Sequence, residues 1–199
     1  VSADASSAYV GVAAAWDAGP SRVYDALARA VVSVYPGDVA GLRVLDIGAG
    51  TGAVSRALAE RGAHPTAIDL APDMVERLRD HGFTAVVGDI RALPFDDGAF
   101  DGAVAAFAIS HVGDPGRALA EARRVVRAGG VILAAVFVAQ AVNASKQVVD
   151  AVAEGFGYIA PDWYRRFKRD LEPMCGTAPA LEACARGAGI VEIFVEERV

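Results

Sequence analysis

The chain holds two cysteines, Cys175 and Cys184, and three histidines in 199 residues. The cysteines stand outside any paired-ligand spacing, which excludes a disulfide scaffold and a zinc site and fits a reducing compartment. No metal is expected. No uninterrupted apolar run approaches the length that crosses a bilayer. The first basic residue is Arg22, so the opening stretch lacks the charged and apolar blocks of a secretory leader. A cytoplasmic location without a membrane partner is expected. Excess positive charge is missing as well: the formal charge of −6 opposes sequence-independent attraction to phosphate backbones. The cluster "RRFKR", Arg165 to Arg169, reads as a solvated helix face, and no nucleic-acid partner is expected.

What is present is a globular composition, 54% hydrophobic and 22% charged, at a length that suits a single domain over 1–199. No repeat, low-complexity tract or interdomain linker interrupts it. Pro20 opens a predicted helix through Tyr35, with Val23, Leu27, Ala30, Val31 and Val34 at helical spacing. "LRVLDIG" then reads as a buried strand and "GAVSRALAERG" as a helix closed by Gly62. "PTAIDL" and "APDMVERLRDHG" repeat the strand and helix pair, and "FTAVVGD" supplies a third strand. After the turn residues of "LPFDDGAFD", the apolar "FDGAVAAFAI" is a fourth strand. "GDPGRALAEARRVVRAGG" is a helix capped by Asp114 and ended by paired glycines, and "VILAAVFV" is a fifth strand. "IVEIFVEERV" is expected as a sixth. Alternating strands and helices imply an α/β fold, a doubly wound, mostly parallel sheet with helices on both faces, whose ligands bind beyond the carboxyl ends of the strands.

Those strand ends carry the chemistry. The first ends in "VLDIGAGTG", Val44 to Gly52, and two ligands compete for its glycine turn. Gly48, Gly50 and Ala53 satisfy the loose dinucleotide pattern, in which a helix N-terminus receives a pyrophosphate. Read with Gly52 as the third glycine, the turn follows Asp46, a charge that repels a pyrophosphate. The second strand ends at Asp69 and the third at Asp89. A ligand with a ribose, an adenine and a cationic amino-acid tail accounts for all three acids, and S-adenosylmethionine is such a ligand. Asp69 accepts from the ribose hydroxyls and Asp89 from the adenine amine. Asp46 orients the tail region or caps the following helix, and both readings stand.

The segments "VLDIGAGTG", "AIDLAPDMV", "VVGDIRALPFDDGAFD" and "HVGDPGRALAEARRVVRAGGVIL" together resemble the class I S-adenosylmethionine-dependent methyltransferases, particularly their small-molecule branch. The resemblance covers about Val44 to Phe137 and rests on the order of the motifs rather than on any one of them. It implies a Rossmann-like methyltransferase fold, with Gly48, Gly50 and Gly52 along the methionine part, Asp69 and Leu70 at the ribose, and Asp89 with Ile90 at the adenine. Met74 resembles an adenine-side packing residue and Phe107 the residue beside the methionine end, each with plain core packing as the alternative. In that family a seventh strand inserts between the fifth and sixth, and the sequence stops before it.

The implied reaction transfers methyl from S-adenosylmethionine to a small organic acceptor, by in-line displacement in which proximity does most of the work. No nucleophilic side chain is required. For a hydroxyl acceptor His111, in "AISHVGDP", is the candidate base, with a plain helix-entry histidine as the alternative. The fourth strand lacks the D/N-P-P-Y/F sequence that resembling families use on base and glutamine amines. O-, N- and C-methylation are otherwise open. Residues 139–177 form a candidate substrate cover, from which Tyr158, Trp163 and Tyr164 are expected at the acceptor, with Phe156 and Phe167 nearby. Tyr9 and Trp16 either close over the cofactor or anchor the N-terminal segment. The competing functions are an NAD(P)-dependent oxidoreductase and a catalytically silent cofactor-binding subunit.

Overall fold

A computed structural model describes residues 6–139 and 144–197. Alternation along the strands decides how the sheet is buried. In β1 (Arg43–Ile47) Leu45 and Ile47 face one way and Val44 the other, and all three are inaccessible to solvent. A strand sealed on both faces belongs at a sheet centre, and β1 pairs in parallel with β2 (His64–Asp69) and with β4 (Phe100–Ala106). β3 (Thr84–Val87) extends one side and β5 (Val126–Ala135) the other, giving the order β3-β2-β1-β4-β5. The chain reverses direction across the sheet between β1 and β4, and this switch point is where an open α/β sheet leaves a crevice.

The two faces are covered by different helices. Val44 and Val104 pack with Ala28 and Val32 of α2 (Ser21–Ser33) and Val54, Ala57 and Leu58 of α3 (Ala53–Glu60). Val75 and Leu78 of α4 (Pro72–Asp80) cover Ala67 and Ala85. On the opposite face, Leu45, Ile47, Ala103 and Ala105 meet α5 (Pro115–Val125) and Ala185 of a later helix, Ala178–Gly187. Asp114 caps α5 as its sequence predicts, accepting the Arg117 backbone N–H at 2.8 Å. A short helix α1 (Ala13–Ala18) precedes α2. α6 (Ala144–Gly155) and α7 (Asp162–Arg166) follow β5, and Val148, Val149 and Val152 of α6 are exposed. Among the described residues no helix is long and apolar enough to cross a membrane.

Three expectations change. α2 buries Ala28, Val32 and, just beyond it, Tyr35, whereas Val23 is 61% exposed, so its inward face is rotated from the one the valine spacing suggests. α5 stops at Val125 and β5 begins at Val126, ahead of the paired glycines, because Val126 already pairs with Phe100 in the sheet. Residues 190–197 form no strand: Ile190 and Ile193 pack on the core, but the segment joins no ladder. Those two isoleucines anchor a surface segment in which Val191 and Phe194 stay exposed.

Between β3 and β4 the chain is held by one buried acid. Glu121 on α5 accepts the Leu93 N–H at 2.9 Å and pairs with Arg124 at 2.8 Å, which holds its carboxyl below the usual range. Arg124 also donates to the Leu93 and Phe95 carbonyls. Replacing Glu121 strands the Leu93 N–H and part of the guanidinium together. Glu121→Ala is expected to lower unfolding free energy by about 2–3 kcal/mol in a urea titration.

Candidate active site

The tip of β1 is shaped by left-handed backbone. Gly48 has φ +69, and a Cβ there would stand 2.4 Å from the Ala108 Cβ, so only glycine lets the β4 tip pass this close. The turn is tied to β2: the Gly48 and Ala49 N–H groups both donate to the Ile68 carbonyl, at 2.9 and 3.0 Å. Gly50 N–H donates to Asp69 Oδ2 at 2.8 Å. Around this turn lies a cavity of about 150 Å³, bordered by the tips of β1, β2, β3 and β4 and by α1 and α2.

The strand-tip acids share that cavity in three different states. Asp46 is buried, accepts from Ser55 Oγ at 2.6 Å, and burial pushes its carboxyl up to about 7. Asp69 is raised by burial as well, although Gly50 and Ala71 each donate one N–H to a different oxygen. Asp89 moves the other way, because Arg91 donates to both of its oxygens, at 2.9 and 2.7 Å. The carboxylate expected to read adenine is thus already engaged by a cation two residues away.

Of the remaining expected cofactor residues, Gly48, Gly50, Leu70, Met74, Ile90 and Phe107 line the cavity. Gly52 does not: it precedes α3 at φ +95, and a Cβ there would lie 2.7 Å from Leu78, so its role is close packing on α4. Met74 is also core, packed with Ala13 and Ala71. Phe107 is held at φ +60, a left-handed backbone that costs a bulky residue about 1–3 kcal/mol. Its N–H donates to the Ala135 carbonyl at 2.7 Å and its ring stacks on Phe137 at 4.5 Å.

His111 borders the cavity from a 3-10 turn, Ile109–His111, with its ring stacked on Phe167 at 4.6 Å. The Tyr9 hydroxyl stands 3.5 Å from His111 Nδ1, and the Tyr9 ring meets Trp16 at 5.6 Å. Tyr9 and Trp16 therefore belong to the cavity wall. The expected acceptor aromatics do not: Tyr158 is 57% exposed, and Trp163 and Tyr164 lie off the lining, although Trp163 reaches Tyr9 at 6.2 Å. Phe156 is 90% exposed. Sequence reasoning also missed Tyr24, Thr51 and Arg91 on the lining. Tyr24 was detectable, since Ser21, Tyr24 and Ala28 share one face of α2. Among the described residues no group of His, Cys, Asp and Glu is placed to hold a metal ion.

Fold and cavity define an open α/β protein whose ligand site spans the switch point of the sheet, with acids on adjoining strand tips. Residues 45–134 match the model of the methyltransferase domain family, and over this segment the chain is similar to S-adenosylmethionine-dependent methyltransferases. It is 39% identical over 111 residues to a demethylmenaquinone methyltransferase of Renibacterium salmoninarum, covering 55% of this chain and 47% of that protein. It is 38% identical over 131 residues to a malonyl-[acyl-carrier protein] O-methyltransferase of Serratia marcescens, covering 64% and 50%. The chain thus spans about half the length of these curated relatives. A SAM-dependent methyltransferase structure from Thermotoga maritima shares the fold, with TM-score 0.62 and 24% identity over 83% of this chain and 70% of that one.

The buried acid at the turn sets a pH signature. The folded value of Asp46, about 7, lies above its unfolded value near about 4. Its contribution to stability is complete below the unfolded value and is lost as pH rises through the folded one. Asp46→Asn keeps the shape and stays neutral. The melting temperature of this variant minus that of the wild type is expected to grow from pH 5 to pH 8. Parallel curves would remove the buried-acid account.

Proposed function

We propose that the protein binds S-adenosylmethionine in this cavity and transfers its methyl group to a small organic acceptor, leaving S-adenosylhomocysteine. The observation that carries the reading is Asp69. Two backbone N–H groups fix its carboxylate at the cavity, one of them from the glycine turn itself. A carboxylate has about four acceptor sites, so two remain for a pair of ribose hydroxyls. Gly50 supports the fit. It lines the cavity at φ +54, and a Cβ there would meet no protein atom, so its absence leaves room for a ligand against the backbone.

In this reading Gly48 and Gly50 border the methionine part, with Phe107 beside it, and Leu70 lies at the ribose. Ile90 and Met74 flank the adenine, whose amine shares Asp89 with Arg91. Asp46 beside the turn disfavours a pyrophosphate and hence a dinucleotide. When bound, the cofactor supplies a methyl group already activated by a sulfonium. The protein's task is to hold the acceptor in line and exclude water, an effect that lowers such barriers by as much as ~7–11 kcal/mol. For a hydroxyl acceptor His111 takes the proton. The stack of Phe167 on its ring fixes the plane of the imidazole. Phe167 also ties residues 139–177 to the site, which supports their role as a substrate cover within a single cytoplasmic methyltransferase domain.

Calorimetric titration tests the cofactor directly: S-adenosylhomocysteine is expected to bind and NADH to give no heat. Asp69→Asn keeps one acceptor oxygen but loses the charge, and should weaken S-adenosylhomocysteine at least about tenfold in a folded variant. Unchanged affinity would remove Asp69 from the site. Turnover is checked by mass spectrometry of a metabolite extract incubated with labelled S-adenosylmethionine and the protein.

A further inference from the structure

Beyond the strand tips, the cavity wall is aromatic. Tyr9 from the first 3-10 turn, Trp16 from α1, Tyr24 from α2 and Phe107 after β4 all line it. They follow one another in contact: Tyr9 to Trp16 at 5.6 Å and 74°, Trp16 to Tyr24 at 5.1 Å and 38°, Tyr24 to Phe107 at 5.8 Å and 77°. All four rings border the cavity, and aromatic rings offer a ligand a negative face as well as an edge. Phe107 holds its place there from a left-handed backbone that costs a bulky residue.

The charges of the same cavity point one way. Asp46, Asp69 and Asp89 line it, and the guanidinium that lines it, Arg91, pairs with Asp89. An anionic ligand would meet carboxylates and the negative faces of four rings. A weakly hydrated, alkylated cation finds both favourable. We infer that Tyr9, Trp16, Tyr24 and Phe107 form an onium subsite, taking a sulfonium or an alkylated ammonium by their π faces. The sulfonium source rests on the cofactor reading above. The ammonium source, an amine acceptor that binds protonated and gives up its proton before nitrogen can attack the methyl carbon, does not need it.

Three probes separate these sources. S-Adenosylhomocysteine is neutral at sulfur, sinefungin carries an amine that is protonated where the sulfonium stands, and tetramethylammonium is an onium ion without a nucleoside. Calorimetry on the wild type should show sinefungin binding more tightly than S-adenosylhomocysteine. Trp16→Leu and Tyr24→Leu should each lower sinefungin affinity about 2- to 30-fold while S-adenosylhomocysteine changes by less than about twofold. Trp16→Phe and Tyr24→Phe should restore most of the loss, and melting curves check folding. That pattern assigns the rings to the sulfonium. Tetramethylammonium that binds the sinefungin complex and fails to bind the leucine variants assigns them to an acceptor ammonium.

A wild type without preference for sinefungin and without tetramethylammonium binding overturns the inference, and needs no variant. So does an equal loss of both nucleosides in folded leucine variants that bind no tetramethylammonium. A wild type that binds neither nucleoside refutes the cofactor reading by itself. Tetramethylammonium titrated into the free protein then decides the subsite, binding supporting it and silence refuting it.

Discussion

The architecture of the site depends on one backbone event: the left-handed turn after β1 folds back onto β2 and is fixed there by three N–H groups. Two go to the Ile68 carbonyl and one to the Asp69 carboxylate. Without them the turn has no reason to prefer this path, since glycine gives freedom in every direction. With them, the end of β1 and the end of β2 become one rigid unit. The near-contact of Gly48 with Ala108 then brings the tip of β4 against the same turn, which places Phe107 and His111 at the cavity. The glycine turn, Asp69 and His111 are therefore positioned by the same few contacts.

Three aspartates reached from three strands differ in charge state because their partners differ. Asp46 is buried with a single hydroxyl donor, so desolvation dominates. Asp69 has backbone donors that offset part of its burial. Asp89 has a guanidinium, and its carboxyl is the easiest of the three to ionise. Asp89 thus stays ionised as a pair with Arg91, while burial holds Asp46 beneath the turn toward its neutral form. A cationic ligand arriving at the turn draws Asp46 toward its ionised form, so ligand charge and protonation of the buried acid are linked.

The strand-and-helix order was readable because punctuation is local. Asp114 before Pro115 marks a helix start, Gly62 and Gly82 mark ends with positive φ, and each acid sits where its strand stops. Parallel connections implied a doubly wound sheet, and the order β3-β2-β1-β4-β5 came from the structure. Other features depend on partners far away in the chain. Gly52 looks like a third member of the cradle until Leu78 is seen above it. In α2 Val23 is exposed while Ser21 and Ala28 are buried, so apolar spacing alone pointed to a rotated face. Residues 190–197 are apolar enough to read as a strand, yet they join no ladder of the sheet. The Asp89 and Arg91 pair was visible as a spacing of two, but only the folded loop shows the guanidinium turned back on the acid.

The cavity has two halves with different origins in the sequence. The half made of strand tips is assembled from segments within 45–134, where spacing along the chain nearly dictates spacing in space. The aromatic half joins residues such as Tyr9 and His111, 102 positions apart. Nothing local fixes that approach. It follows from α1 being pinned to α4, where Asp73 accepts the Ala13 N–H at 2.9 Å, and from Met74 filling the gap beneath. Motifs can therefore identify the cofactor half of such a protein without saying anything of its acceptor. The aromatic half is set by the packing of the N-terminal segment and α2 against the sheet. Three of the lining rings, Tyr9, Trp16 and Tyr24, accordingly come from the first 24 residues, whereas Tyr158, Trp163 and Tyr164 lie off the lining.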